Sequence, residues 1–109
     1  MLDARFEETR GALLVTPLAS WLDAEAAVEL REIVGERARD RAVVVLSLSH
    51  VAAMDCSGLA GLVSVLKRMA PGGELRIVGA TAAMRALLAA NHLDEVFPLF
   101  EDIRAALPR

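Results

Sequence analysis

Apolar residues fall in short continuous runs, and the stretches between them repeat apolar positions with the period of a helix. Ala12-Leu13-Leu14-Val15-Thr16 is a run of strand length closed by Pro17, and Ala42-Val43-Val44-Val45-Leu46 is a second, rich in β-branched residues and too short for a helix. A run that is apolar at every position fits a parallel strand covered on both faces. Ser47-Leu48-Ser49 can continue it. Residues 4–8 form a weak, charged strand suited to a sheet edge, and Arg10-Gly11 supplies the turn of a hairpin into the first apolar run. Leu75-Arg76-Ile77-Val78 reads as a further strand, and Val96-Phe97-Pro98-Leu99-Phe100 as a short edge strand, because Pro98 excludes a central one.

Helices are expected between these strands. Ala26, Ala27, Leu30, Ile33, Val34 and Ala38 recur at helical spacing, with Glu25, Glu29, Glu32, Glu36 and Arg39 mainly on the other side. Ser20 or Asp23 caps this helix. A second helix spans about 57–69, with Leu59, Leu62, Val63, Leu66 and Met69 as its core stripe, and Pro71-Gly72-Gly73 stops it. Thr81 caps a third, carrying Met84, Leu87 and Leu88 and ending near Asn91. A last helix covers 101–107 and stops at Pro108. Alternating strands and helices imply βαβ units and a mainly parallel sheet, an α/β fold.

The 109 residues fit one domain, 1–109, by the usual span of roughly 100–200 residues. Hydrophobic residues make up 55% and aromatics 4%, so the core is aliphatic. The net charge of −3 and the lack of a basic stripe argue against nucleic-acid binding. One cysteine, Cys56, precludes an intramolecular disulfide and points to a reducing, cytoplasmic compartment. The start, Met1-Leu2-Asp3-Ala4-Arg5-Phe6-Glu7-Glu8, has no apolar stretch of signal-peptide type. The longest uncharged runs, 42–54 and 56–66, fall short of the ~20 residues of a membrane span, so no direct membrane insertion is expected.

Candidate chemistry concentrates at Met54-Asp55-Cys56-Ser57-Gly58-Leu59. This loop follows the central strand and opens the second helix, where open α/β sheets place functional loops and where the helix dipole favours negative charge. A plain structural reading also holds: Asp55 or Ser57 caps the helix, and Gly58 permits a tight turn. The following helix is uncharged from Cys56 to Leu66. Its outward positions are expected at Ala60, Gly61, Ser64 and Val65. An uncharged outer face suggests a partner protein; the alternative is cover by other elements of the domain.

Other residues give little. His50 and His92 are far apart, with no metal-ligand spacing. Trp21 is expected to pack ahead of the first helix, with a partner anchor as the alternative. Cys56 near a helix N-terminus invites a redox role, opposed by the adjacent Asp55. No Gly-rich phosphate loop, nucleophile elbow or triad appears, and no cofactor is expected.

The stretch Val43-Val44-Val45-Leu46-Ser47-Leu48-Ser49-His50-Val51-Ala52-Ala53-Met54-Asp55-Cys56-Ser57-Gly58-Leu59-Ala60 resembles the signature of STAS domains, whose anti-sigma factor antagonists carry Asp-Ser-Ser-Gly-Leu after a central strand. Leu22-Asp23, Gly73-Glu74-Leu75-Arg76-Ile77-Val78 and 82–97 extend the likeness over nearly the whole chain. The resemblance implies a small mixed sheet with packed helices. It implies docking on an anti-sigma factor or a serine protein kinase of the anti-sigma type, by a monomer or weak dimer; Asp23 and the expected outward positions Ala60, Gly61, Ser64 and Val65 are the candidate contact residues. It also implies a phosphoacceptor loop of Asp55, Cys56, Ser57 and Gly58, in which phosphate on the first loop serine breaks docking. Here Cys56 replaces that serine. Either Ser57 takes the phosphate or phosphorylation does not control the protein, and the close positioning that phosphoryl transfer demands favours the second. Some STAS domains serve as adaptors in transport complexes, including those for lipids, which need no such switch.

Overall fold

The computed structural model describes residues 3–109; Met1 and Leu2, the start of the N-terminal run and of the 1–109 span, lie outside the described residues. Strand β1 (Ala4–Thr9) half-buries Ala4 and Phe6 and exposes Arg5 and Glu7, the period-2 pattern of an edge strand. It pairs antiparallel with β2 (Ala12–Pro17), from Ala4↔Pro17 to Thr9↔Ala12, so Arg10 and Gly11 form the two-residue turn. After β2 come the two-residue strand β3 (Trp21–Leu22) and helix α1 (Ala24–Glu29). A π-helical stretch (Leu30–Val34) joins α1 to the short α2 (Gly35–Arg37). Strand β4 (Val43–Ser47), the two-residue β5 (Ala53–Met54) and helix α3 (Cys56–Arg68) follow. The chain closes with β6 (Glu74–Val78), α4 (Ala82–Ala90), β7 (Leu99–Phe100) and α5 (Ile103–Ala106).

The main sheet runs β1-β2-β4-β6-β7, antiparallel at β1–β2 and parallel elsewhere. This is the mixed, mainly parallel α/β arrangement expected. Side chains alternate between two cores. Leu13, Val15, Val44, Leu46, Leu75 and Ile77 meet Leu30, Val34, Leu59, Leu62, Met84 and Leu88 of the helices on one face. Leu14, Val45 and Val78 meet Ala106 of α5 on the other. Each such Leu or Val withdrawn from water stabilises the fold by about 1.5–3 kcal/mol, so two faces of cover explain the unbroken apolar runs of β2 and β4.

The starts of α1, α3, α4 and α5 are each fixed by a side chain that accepts an otherwise unpaired backbone N–H. Asp23 accepts from Ala26 at 3.0 Å and Asp55 from Gly58 at 3.0 Å. Thr81 accepts from Met84 at 3.2 Å and Asp102 from Ala105 at 2.8 Å. Asp23 rather than Ser20 caps the first helix; the carbonyl of Ser20 instead accepts N–H groups from Ala52 and Ala53.

Several bounds differ from expectation. β4 ends at Ser47 because the chain turns there: the hydroxyls of Ser47 and Ser49 share a hydrogen bond of 3.1 Å, and the Leu48 N–H donates to the carbonyl of Val78. The last strand is only Leu99–Phe100, since Phe97 turns inward and is fully buried. The last helix starts two residues late, at Ile103, because Asp102 is its cap.

Candidate functional site

The site is built on the small second sheet. β3 and β5 pair in parallel, Trp21 opposite Ala53 and Leu22 opposite Met54. Each strand runs straight into a helix: Asp23 caps α1 and Asp55 caps α3. The two N-termini therefore lie side by side, linked by the Asp55 N–H to the Leu22 carbonyl at 3.3 Å. Asp55, Cys56, Ser57 and Gly58, the residues expected to form a phosphoacceptor loop, thus sit at the mouth of a paired helix start. Cys56 and Ser57, the first two residues of α3, are exposed, and Asp55 is half-buried by its capping role.

Gly58 explains how close the elements come. A Cβ there would collide with the carbonyl oxygen of Leu22 and lie 2.9 Å from both Leu22 Cβ and Met54 Cγ. One turn on, a Cβ on Gly61 would lie 3.1 Å from Ala27 Cα and 3.2 Å from the Ala27 carbonyl. The two glycines let α3 lie against β3 and α1 at backbone distance.

That contact corrects the expected outer face. Ala60 is exposed and Ser64 half-exposed, its hydroxyl donating to the Ala60 carbonyl at 3.1 Å. Gly61 and Val65 are buried, not outward: Gly61 faces Ala27 of α1, and Val65 is 1% exposed within the larger core. The helix lacks charge partly because one flank is covered. Trp21 departs in the opposite sense. It does not pack; it is 58% exposed, while its neighbour Leu22 is fully buried. Strand alternation requires that if Leu22 points in, Trp21 points out.

Other candidates stay apart. His50 is exposed in the turn after β4 and His92 follows α4. Among the described residues no group of three or more His, Cys, Asp or Glu side chains could hold a metal ion, and no cavity is found. Away from the loop, Arg39 hydrogen-bonds Glu36 and holds its carboxyl below the usual range, and Glu36 raises Arg39 in turn. No helix among the described residues is long and apolar enough to cross a membrane.

The family model for the STAS domain matches residues 3–106. The chain belongs to the STAS domain family. This STAS domain matches a solved anti-sigma factor antagonist from Mycobacterium paratuberculosis at TM-score 0.83 and 21% identity, over 97% of this chain and 91% of that one. It matches the anti-sigma factor antagonist SpoIIAA in unphosphorylated form at TM-score 0.75 and 15% identity, over 94% of this chain and 92% of that one. The phosphorylated form of Bacillus SpoIIAA matches at 0.66 and 17%, over 94% and 96%. A murine Slc26a9 anion transporter matches at 0.71 and 17%, over 92% of this chain but 18% of the transporter. At these identities the likeness is one of fold. No curated protein sequence matches the chain closely enough to count as a relative.

Proposed function

We propose that this STAS domain is a protein-binding regulatory module of the anti-sigma factor antagonist type, acting by docking on an anti-sigma factor or an anti-sigma serine kinase. The observation that carries this is the paired helix start itself. Cys56, Ser57 and Ala60 present a small, uncharged, exposed surface beside the Asp23 and Asp55 caps. Small residues let a partner backbone approach closely, and the absence of formal charge on that strip removes a desolvation cost from docking.

The switch is the finer question. A phosphate adds about −1.5 to −2 charges at neutral pH. On Ser57, at the second position of α3, it would suit the helix dipole and disrupt an apolar contact. Cys56 at the first position is no ordinary substrate for a serine kinase. This favours, as a second reading, an adaptor with the same docking surface and no phospho-switch, as in a transport complex; the Slc26a9 match accords with it.

The test is calorimetric titration of the domain against the purified anti-sigma kinases of its source organism, with and without ATP, followed by mass spectrometry of the loop. The expected result is a complex that Ala60→Glu weakens by at least about tenfold without lowering thermal stability. Val65→Asp is no fair test, because that side chain is buried. Phosphate on Ser57 would establish the switch, binding without phosphate the adaptor mode, and no complex with any such kinase would overturn the anti-sigma reading.

A further inference from the structure

Trp21 is the chain's single tryptophan and, among the described residues, the most exposed of the large apolar side chains, at 58%; Leu18, three residues earlier, is 38% exposed. Its segment is not a loose loop. The Ser20 carbonyl accepts N–H groups from Ala52 at 2.7 Å and Ala53 at 3.2 Å, Trp21 pairs with Ala53, and Leu18 donates its N–H to Asp3 at 2.8 Å. Exposed Leu18, Trp21, Ala52 and Ala53 are thus gathered on a backbone held from both sides. A rigid, outward aromatic loses little conformational entropy on binding and offers roughly 150–250 Å² of apolar surface, which is what interface hot spots use.

The charge around it says what it meets. Residues 11–30 and 42–66, which build most of this end of the molecule, contain no Lys or Arg; the N-terminal edge adds an exposed Asp3 and Arg5, which offset each other in charge, beside Leu18 and Thr16. The charged groups near the helix starts are Asp23, Glu25 and Asp55, and Glu25 is exposed in the first turn of α1. Lys67 and Arg68 lie at the far end of α3; Arg85 is the cation on α4, which also contacts β5. An anionic lipid surface or a nucleic-acid backbone would be repelled from this end, and a basic protein surface attracted.

We infer that Trp21 is the anchor of the docking surface and that its partner presents an apolar pocket rimmed by Arg or Lys. This deepens the docking reading above and rests on it for the location of the interface. Trp21 fills the pocket, while Glu25 and the two capping aspartates set the partner's charge.

The test combines affinity and cross-linking. Trp21→Ala, Glu25→Gln and Ala60→Glu are titrated against the anti-sigma kinase that binds the native chain. A photoreactive phenylalanine analogue is placed at position 21 in cells, with the same analogue at Arg10, at the opposite end of β2, as control. The expected result is a loss of at least about tenfold for Trp21→Ala, native binding that weakens as salt rises, and a flatter salt dependence for Glu25→Gln. The cross-link should fall on a partner peptide with Arg or Lys around an apolar centre. Full affinity in Trp21→Ala while Ala60→Glu fails would overturn this inference and leave the docking reading standing. If no kinase binds, the inference survives only if the residue-21 cross-link identifies a different protein. Purified, that protein must bind the native chain and lose about tenfold with Trp21→Ala. Cross-linking no greater than at Arg10, or onto lipid or an acidic peptide, would overturn it outright.

Discussion

Gly58 shows how one missing methyl group sets the geometry of the site. The collision a Cβ would make with the Leu22 carbonyl involves two backbones, so neither partner can swing aside. Gly58→Ala should therefore lose about 1–3 kcal/mol, the range for overpacking, read as a lower urea midpoint with an unchanged slope. Ser57→Asp should behave oppositely. A negative charge in the first turn of an exposed helix is worth about 0.3–1 kcal/mol, so melting temperature should hold or rise while affinity for the partner falls. A fall in both would mean that Ser57 has a packing role its exposure does not suggest. The cap Thr81, Asp55 as one of two cap candidates, and the uncharged run from Cys56 to Leu66 were legible from residue types alone. The exposure of Trp21 was not, because a two-residue strand is too short to leave an alternating pattern, and Leu22 alone decides which way Trp21 points. Gly61 and Val65 were misplaced for a related reason: the period of a helix marks its most apolar side, but which flank meets a neighbouring helix depends on tertiary packing.

At the level of elements, the first long helix holds a feature no periodicity announces. Across Leu30–Val34 the hydrogen bonding shifts to π spacing, and the N–H of Gly35 donates to the carbonyl of Leu30. The carbonyl of Arg31, which would otherwise take that N–H, accepts Nη1 of Arg68 at 2.9 Å. The Arg68 side chain also fills the space above Gly35, where a Cβ would lie 3.1 Å from its Cδ and Nη1. A side chain entering the ladder is a recognised cause of such bends. Arg68→Ala should cost about 1 kcal/mol, the net worth of a lost hydrogen bond, and move chemical shifts over residues 30–35 toward ordinary helix. Unmoved shifts would show that the π turn is intrinsic to its own sequence. The strand and helix order was readable because each main element carries its own period and cap. The π turn and the β3–β5 pair were not, since both arise from contacts between segments distant in the chain.

For the whole molecule, the sheet edges bear on assembly. One edge strand, β1, carries the exposed charges Arg5, Glu7 and Glu8, and the other, β7, is two residues long. Charged or very short edges resist pairing with a second copy. Light scattering should therefore give a mass near 11.7 kDa in the absence of a partner; a dimer would show that one edge is open after all. The β3–β5 pair has a kinetic consequence. It is held by only a few hydrogen bonds yet joins two segments remote in sequence, so it can open only as a unit. The amides of Ala52, Ala53 and Asp55, which donate to Ser20 and Leu22, should exchange with deuterium at one common rate, faster than those of β4. A docked partner should slow all three together, although it need touch only one of the segments.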